Sequence, residues 1–261
     1  MSVNNIRQFW EEMWGYGDII YSEHYKEVVD DLTKMPGAKW FSGARLNYAE
    51  NLLRFRDNKI ALVFQGEDQQ VRSLTYAELY DAVARMAHAL REAGVVPGDR
   101  VAGFMPNMPE AVIAMLATAS IGAIWSSSSP DFGIKGVLDR FSQIKPKVLF
   151  AANGYFYNGK TFNSLEKLEG ILNELPSVEK VVVVPYTEER ADISTIRNGI
   201  YYEDFISDVD VPELVFEQLP FDHPLYIMYS SGTTGLPKSI VHSAGGTLIQ
   251  HMKELQLHTD L

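Results

Sequence analysis

Between Thr75 and Val184, short apolar runs alternate with amphipathic stretches of helical length, and that alternation leaves few architectures open. Thr75-Tyr76-Ala77-Glu78 has the form of a capping box. Behind it Leu79, Val83, Met86, Ala87 and Leu90 fall on one helical face that ends at Gly94. A Pro97-Gly98-Asp99 turn leads to a strand at 101–105, then a helix opens at Pro109 and stops at Gly122, and a strand follows at 123–125. The unit recurs as helix 134–143 with strand 148–151, and as helix 165–175 with strand 181–184. Strands separated by whole helices cannot pair as hairpins, so the spacing predicts an α/β chain on a parallel, helix-covered sheet.

The flanks read differently. Residues 1–57 have no periodicity but carry Trp10, Trp14, Trp40 and Phe41, aromatics expected to bury area against a body that the segment wraps. Residues 188–210 read as a polar connection. We divide the chain into an N-terminal segment, 1–72, and a larger domain, 73–261.

Composition removes several classes of function. A formal net charge of -11 disfavours nucleic acid and anionic membrane surfaces, which both reward clustered Lys and Arg. With no cysteine, disulfides, thiol nucleophiles and cysteine–zinc sites are out. The N-terminus lacks a basic start and an apolar block, so a signal peptide is not expected and a cytoplasmic location is. The uncharged run 111–130 is interrupted by Gly122 and closed by Ser126 to Ser129, too polar to cross a membrane.

The chemistry concentrates at Tyr229-Ser-Ser-Gly-Thr-Thr-Gly-Leu-Pro-Lys238, which follows the apolar run Pro224 to Tyr229. Gly232 and Gly235 permit backbone angles that aim successive N–H groups at one anion. Ser230, Ser231, Thr233 and Thr234 add hydroxyl donors, and Lys238 adds a full charge. A triphosphate suits such a loop. A Walker A loop has a glycine just before its lysine and a helix right after it; here Pro237 stands before Lys238, and Ser239-Ile240-Val241-His242 reads as a strand. The loop is therefore expected to join two strands as a hairpin.

The segment Ser231-Gly-Thr-Thr-Gly-Leu-Pro-Lys238 resembles the phosphate loop of the adenylate-forming enzymes, which include acyl-CoA ligases, luciferases and peptide-synthetase adenylation domains. Gly43 to Arg54, Trp125 to Gly133 and Val241 to His251 are similar to the acetoacetate-CoA ligase branch, more than to its acetate-specific relatives. The resemblance spans about Phe9 to His258. It implies that ATP and acetoacetate form acetoacetyl-adenylate with release of pyrophosphate, and that CoA then attacks. The cofactors so implied are ATP, CoA and Mg²⁺, with Ser230, Ser231, Gly232, Thr233, Thr234, Gly235 and Lys238 holding the phosphates and Lys238 stabilising their charge.

Members of that family run more than twice as long as this chain. Their adenine and ribose contacts, Mg²⁺-binding glutamate, hinge and C-terminal lysine follow the phosphate loop. The expectation is an N-terminal portion of such a ligase, its fold incomplete at the C-terminus and inactive alone, whose partners are small molecules and the missing remainder of the same polypeptide. A ligase for another short acid such as acetate, or a noncatalytic nucleotide-binding module, is the alternative.

Weaker candidates complete the reading. Ser126 and Ser127 follow a strand end, where α/β sheets place ligands, and the resemblance puts them beside the CoA tunnel. Lys160 stands where related ligases place a basic residue near the CoA nucleotide. His251, Glu254 and His258 share one side of the last helix, a spacing for which nothing supplies a further metal ligand, so no metal site is assigned. His242, just past the loop, lines the nucleotide pocket or fills core.

Overall fold

The strands Arg100–Phe104 (β1), Ile124–Ser128 (β2), Val148–Ala152 (β3), Lys180–Val184 (β4), Gly199–Tyr201 (β5), Pro224–Ser230 (β6) and Lys238–Ser243 (β7) form one sheet in the order β5-β4-β3-β1-β2-β6-β7. Every neighbouring pair is parallel except β6–β7, an antiparallel hairpin at the edge. These come from a computed structural model that describes residues 3–67, 71–206, 210–230 and 235–259. The parallel, helix-covered sheet expected from the spacing is present.

Among the described residues eight α-helices accompany it: Ile6–Tyr16 (α1), Tyr48–Leu52 (α2), Tyr76–Glu92 (α3), Pro109–Ser120 (α4), Ile134–Ile144 (α5), Leu165–Glu174 (α6), Tyr202–Ile206 (α7) and Ala244–Glu254 (α8). Because side chains alternate along a strand, the sheet sorts its residues between two cores. Val101, Trp125, Phe150 and Val182 pack with α3, α4 and α8. Ala102, Phe104, Leu149 and Val183 pack with α5 and α6. Coverage on both faces is why β3 and β4 are almost wholly apolar: all of β3 is buried, and so are the four consecutive valines of β4.

Local signals fix the helix ends. Thr75 Oγ1 accepts from the Glu78 N–H at 3.2 Å while the Glu78 carboxylate accepts from the Thr75 N–H at 2.8 Å, the reciprocal capping box expected for α3. Pro109 opens α4, where its missing N–H costs nothing.

The N-terminal segment wraps the body as its aromatics predict. Trp14 stacks on Phe41 with centroids 4.9 Å apart, Phe41 packs on Phe221 at the same distance, and all three are buried. Buried Asn47 ties the segment down. Its side-chain amide donates to the carbonyls of Ala119, Ser120 and Glu217, and its side-chain oxygen caps α2.

One expectation needs correction, and two hairpins were not anticipated. The polar stretch 188–210 contains β5 and α7: the charged residues sit around short apolar contacts, with Ile200, Tyr202 and Phe205 packed on the core. Residues 154–157 and 160–163 form a hairpin, and so do 60–64 and 72–75. Both pairs are short and exposed or half-buried; the apolar run 60–64 is a strand signal that the sequence reading passed over, and 154–163 carries none.

Candidate active site

Parallel strands deliver all their carboxyl ends to one edge of the sheet, where ligands of open α/β sheets sit. There the β6–β7 hairpin sets Ser230 opposite Lys238, Tyr229 opposite Ser239 and Met228 opposite Ile240. Ser231, Gly232, Thr233 and Thr234 of the expected cradle lie outside the described residues. Gly235 has φ +98°, a conformation that side chains other than glycine resist. Lys238 is exposed at the first position of β7. Helix α8 begins only at Ala244, so no helix N-terminus follows the lysine directly, as a Walker loop needs. The hairpin expected from the sequence is the one found.

Tyr229 braces this edge from below. Its hydroxyl donates to the Arg140 carbonyl at 3.2 Å, and the Ser126 hydroxyl donates to the Ile227 carbonyl at 2.8 Å, joining β2 to β6. Burial raises the Tyr229 pKa, opposed by the contact with Ser126 and by the Arg140 charge. The phenol is therefore a neutral hydrogen-bonding group here.

Two clefts open beside β2 at the carboxyl edge, about 390 and 530 Å³ in volume. Met115, Trp125, Ser127, Ser128 and Ser129 line both. Ser126 and Ser127, expected just past a strand end, lie within β2 instead, and they do not act alike. Ser126 is buried with its proton on Ile227, and Ser127 is exposed at the cleft. Ser128, which the sequence reading passed over, is buried with a hydroxyl that has no partner among the described residues. Alternation along β2 was the available signal: it turns alternate serines to opposite faces. A larger hollow, about 910 Å³, lies away from this edge, between the N-terminal segment and the start of α8.

Lys160 occupies the tip region of the 154–163 hairpin. The turn residues Asn158 and Gly159 both have positive φ, and their N–H groups donate to the Glu67 carboxylate at 3.1 and 2.9 Å. Lys160 itself is exposed and in no ion pair with a described residue.

The histidines separate. His242 sits 5.0 Å from Tyr226, ring to ring, across the hairpin. His251 meets the Tyr48 hydroxyl at 3.1 Å through Nδ1, and burial, with the nearby His242 second, lowers its pKa. Glu254 instead pairs with Lys253 and His258. Of the helical pattern, Glu254 and His258 pair with each other while His251 turns to Tyr48.

Residues 49–260 match the family model described as "AMP-binding enzyme". The chain belongs to the AMP-binding enzyme family. Residues 1–52 match the model for the acetyl-coenzyme A synthetase N-terminus. Among its relatives are the acetoacetyl-CoA synthetases of Gallus gallus, 55% identical, and Rhizobium meliloti, 49% identical; each match covers 100% of this chain and 40% of the relative. A malonamoyl-CoA synthetase of Penicillium aethiopicum is 43% identical over 100% of this chain and 38% of its own length. The solved acetoacetyl-CoA synthetase from Streptomyces lividans superposes with a TM-score of 0.93 at 44% identity, covering 100% of this chain and 40% of that one. This AMP-binding enzyme chain therefore spans about two fifths of the length of the relatives it matches.

Proposed function

We propose that the chain is the phosphate-binding, N-terminal portion of an acetoacetate-CoA ligase that makes acetoacetyl-CoA, AMP and pyrophosphate from acetoacetate, ATP and CoA. The observation that carries this is the β6–β7 hairpin, which offers Lys238 and Ser230 at the carboxyl edge of a sheet shared with relatives named for that acid.

In this reading, Ser230, Ser231, Gly232, Thr233, Thr234 and Gly235 cradle the β- and γ-phosphates. Charge grows on the departing pyrophosphate as the acid attacks the α-phosphorus. Donors already fixed in place stabilise that charge without reorganising. Lys238 adds the only formal charge in the 229–238 loop. The loop holds no carboxylate, and its hydroxyls and N–H groups suit phosphate oxygens. Mg²⁺ would arrive with the nucleotide phosphates. The clefts beside Trp125, with Ser127 and the unpartnered Ser128, suit the thiol arm of CoA, and Lys160 suits its nucleotide phosphates. Such an enzyme works on soluble substrates, consistent with the absence of any helix among the described residues long and apolar enough to cross a membrane.

The test is acetoacetate-dependent exchange of pyrophosphate into ATP by a polypeptide that carries this chain at the length of its relatives. Exchange is expected with acetoacetate in preference to acetate, and Lys238→Ala should lower it by about 10- to 150-fold, the value of a charged hydrogen bond of about 1.5–3 kcal/mol. A preference for acetate removes the acid assignment. Exchange within twofold of wild type in Lys238→Ala removes the lysine from the mechanism.

A further inference from the structure

The structure assigns a positioning role to Gln143 of α5: its side-chain amide grips β7 on both sides of Lys238 and so sets where that lysine stands. This rests on the phosphate-loop reading above. Gln143 Nε2 donates to the Pro237 carbonyl at 2.9 Å, and Gln143 Oε1 accepts from Ser239 Oγ at 2.9 Å. Pro237 and Ser239 are the two chain neighbours of Lys238. A planar amide that donates to one and accepts from the other fixes both the height and the rotation of the strand between them.

Three surrounding features make the grip directional. Gln143 Nε2 also donates to the Asp139 carbonyl at 2.6 Å, which holds the amide against its own helix. One helical turn earlier, the Arg140 carbonyl accepts from the Tyr229 hydroxyl, so α5 holds the incoming strand as well as the outgoing one. Tyr229 and Ser239 are register partners, and both turn toward α5; strand alternation then sends Lys238 to the opposite face, away from the helix. Proline at 237 leaves its carbonyl free for this contact and donates nothing itself. Nothing else in the described part of the loop's outgoing stem is tied to a helix by a side chain, so without Gln143 the position of Lys238 depends on the hairpin ladder alone.

The experiment uses a polypeptide that carries this chain at the length of its relatives, with amide hydrogen exchange of residues 236–240 and inorganic tripolyphosphate binding as separate readouts. Gln143→Ala is expected to speed exchange at these amides and to weaken tripolyphosphate binding, each by about three- to tenfold, as loss of one or two neutral hydrogen bonds implies. Gln143→Glu keeps the acceptor for Ser239 and loses the donor to Pro237, so its exchange should fall between. Adding Ser239→Ala to Gln143→Ala should cost less than Ser239→Ala alone, because the two share one contact. Unchanged exchange in Gln143→Ala overturns the grip. Faster exchange with unchanged tripolyphosphate affinity, where Lys238→Ala does lose affinity, reduces Gln143 to a structural staple and overturns the positioning role while sparing the phosphate loop. If wild type and Lys238→Ala bind tripolyphosphate equally weakly, the phosphate-loop reading fails and the positioning role goes with it.

Discussion

His251 shows how a single contact acquires a pH dependence. A neutral imidazole can accept the Tyr48 hydroxyl proton at Nδ1; the imidazolium, with protons on both nitrogens, cannot. Burial and the His242 charge act in the same direction, so the folded pKa lies below the unfolded one. The unfolded chain then takes up the proton more readily, and the contribution is complete above about pH 6.5 and lost as pH falls from there through the lower folded pKa. His251→Gln should therefore flatten the fall of the thermal midpoint between about pH 7 and pH 5. An unaltered slope would show that the Tyr48 contact has no part in it. The ring is partly open to solvent, so the change is a modest one.

Elements were more legible than residues. Helices α3, α4, α5 and α6 announced themselves through a capping box, an opening proline and apolar faces, and the strands between them through runs too apolar for anything but a doubly covered sheet. The loop was legible as a hairpin because Pro237 and the β-branched residues after Lys238 exclude a helix there. What the sequence hid depends on contacts between distant residues: the Gln143 grip spans 94 and 96 positions, and the division of labour among Ser126, Ser127 and Ser128 depends on which face β2 turns to β6. Gly103 is another such case. A Cβ built there would lie 2.8 Å from the Trp125 ring on the adjacent strand, so glycine at the centre of β1 makes room for the side chain that lines both clefts. Gly103→Ala should destabilise the chain by about 1–3 kcal/mol through overpacking, and should shift Trp125 fluorescence. An unperturbed spectrum with full stability would mean that the ring has space to move aside.

At the scale of the molecule, the two sheet edges differ in length and exposure. β5 is a three-residue strand, half covered. β7 runs six residues with unpaired backbone groups on its outer side, and exposes Ile240 at 45% and Val241 at 57% beside Met228 at 54%. An apolar, unprotected edge strand is a template for a further strand or another chain. Leu236, Leu255 and Leu257 are exposed as well. The 261-residue chain in isolation should accordingly self-associate and bind a hydrophobic dye. The same chain should make no acetoacetyl-CoA and hold ATP weakly. On the proposed reading the adenine and ribose contacts lie in the portion of its relatives that it does not match, and several absent hydrogen bonds at about 0.5–1.5 kcal/mol each compound to a hundredfold or more. Light scattering, dye fluorescence and calorimetric titration with ATP and Mg²⁺ measure the three expectations separately. A stable monomer that ignores the dye would mean the β7 edge is protected in solution, and micromolar ATP affinity in such a monomer would make this chain a self-sufficient nucleotide-binding module instead of one portion of a ligase.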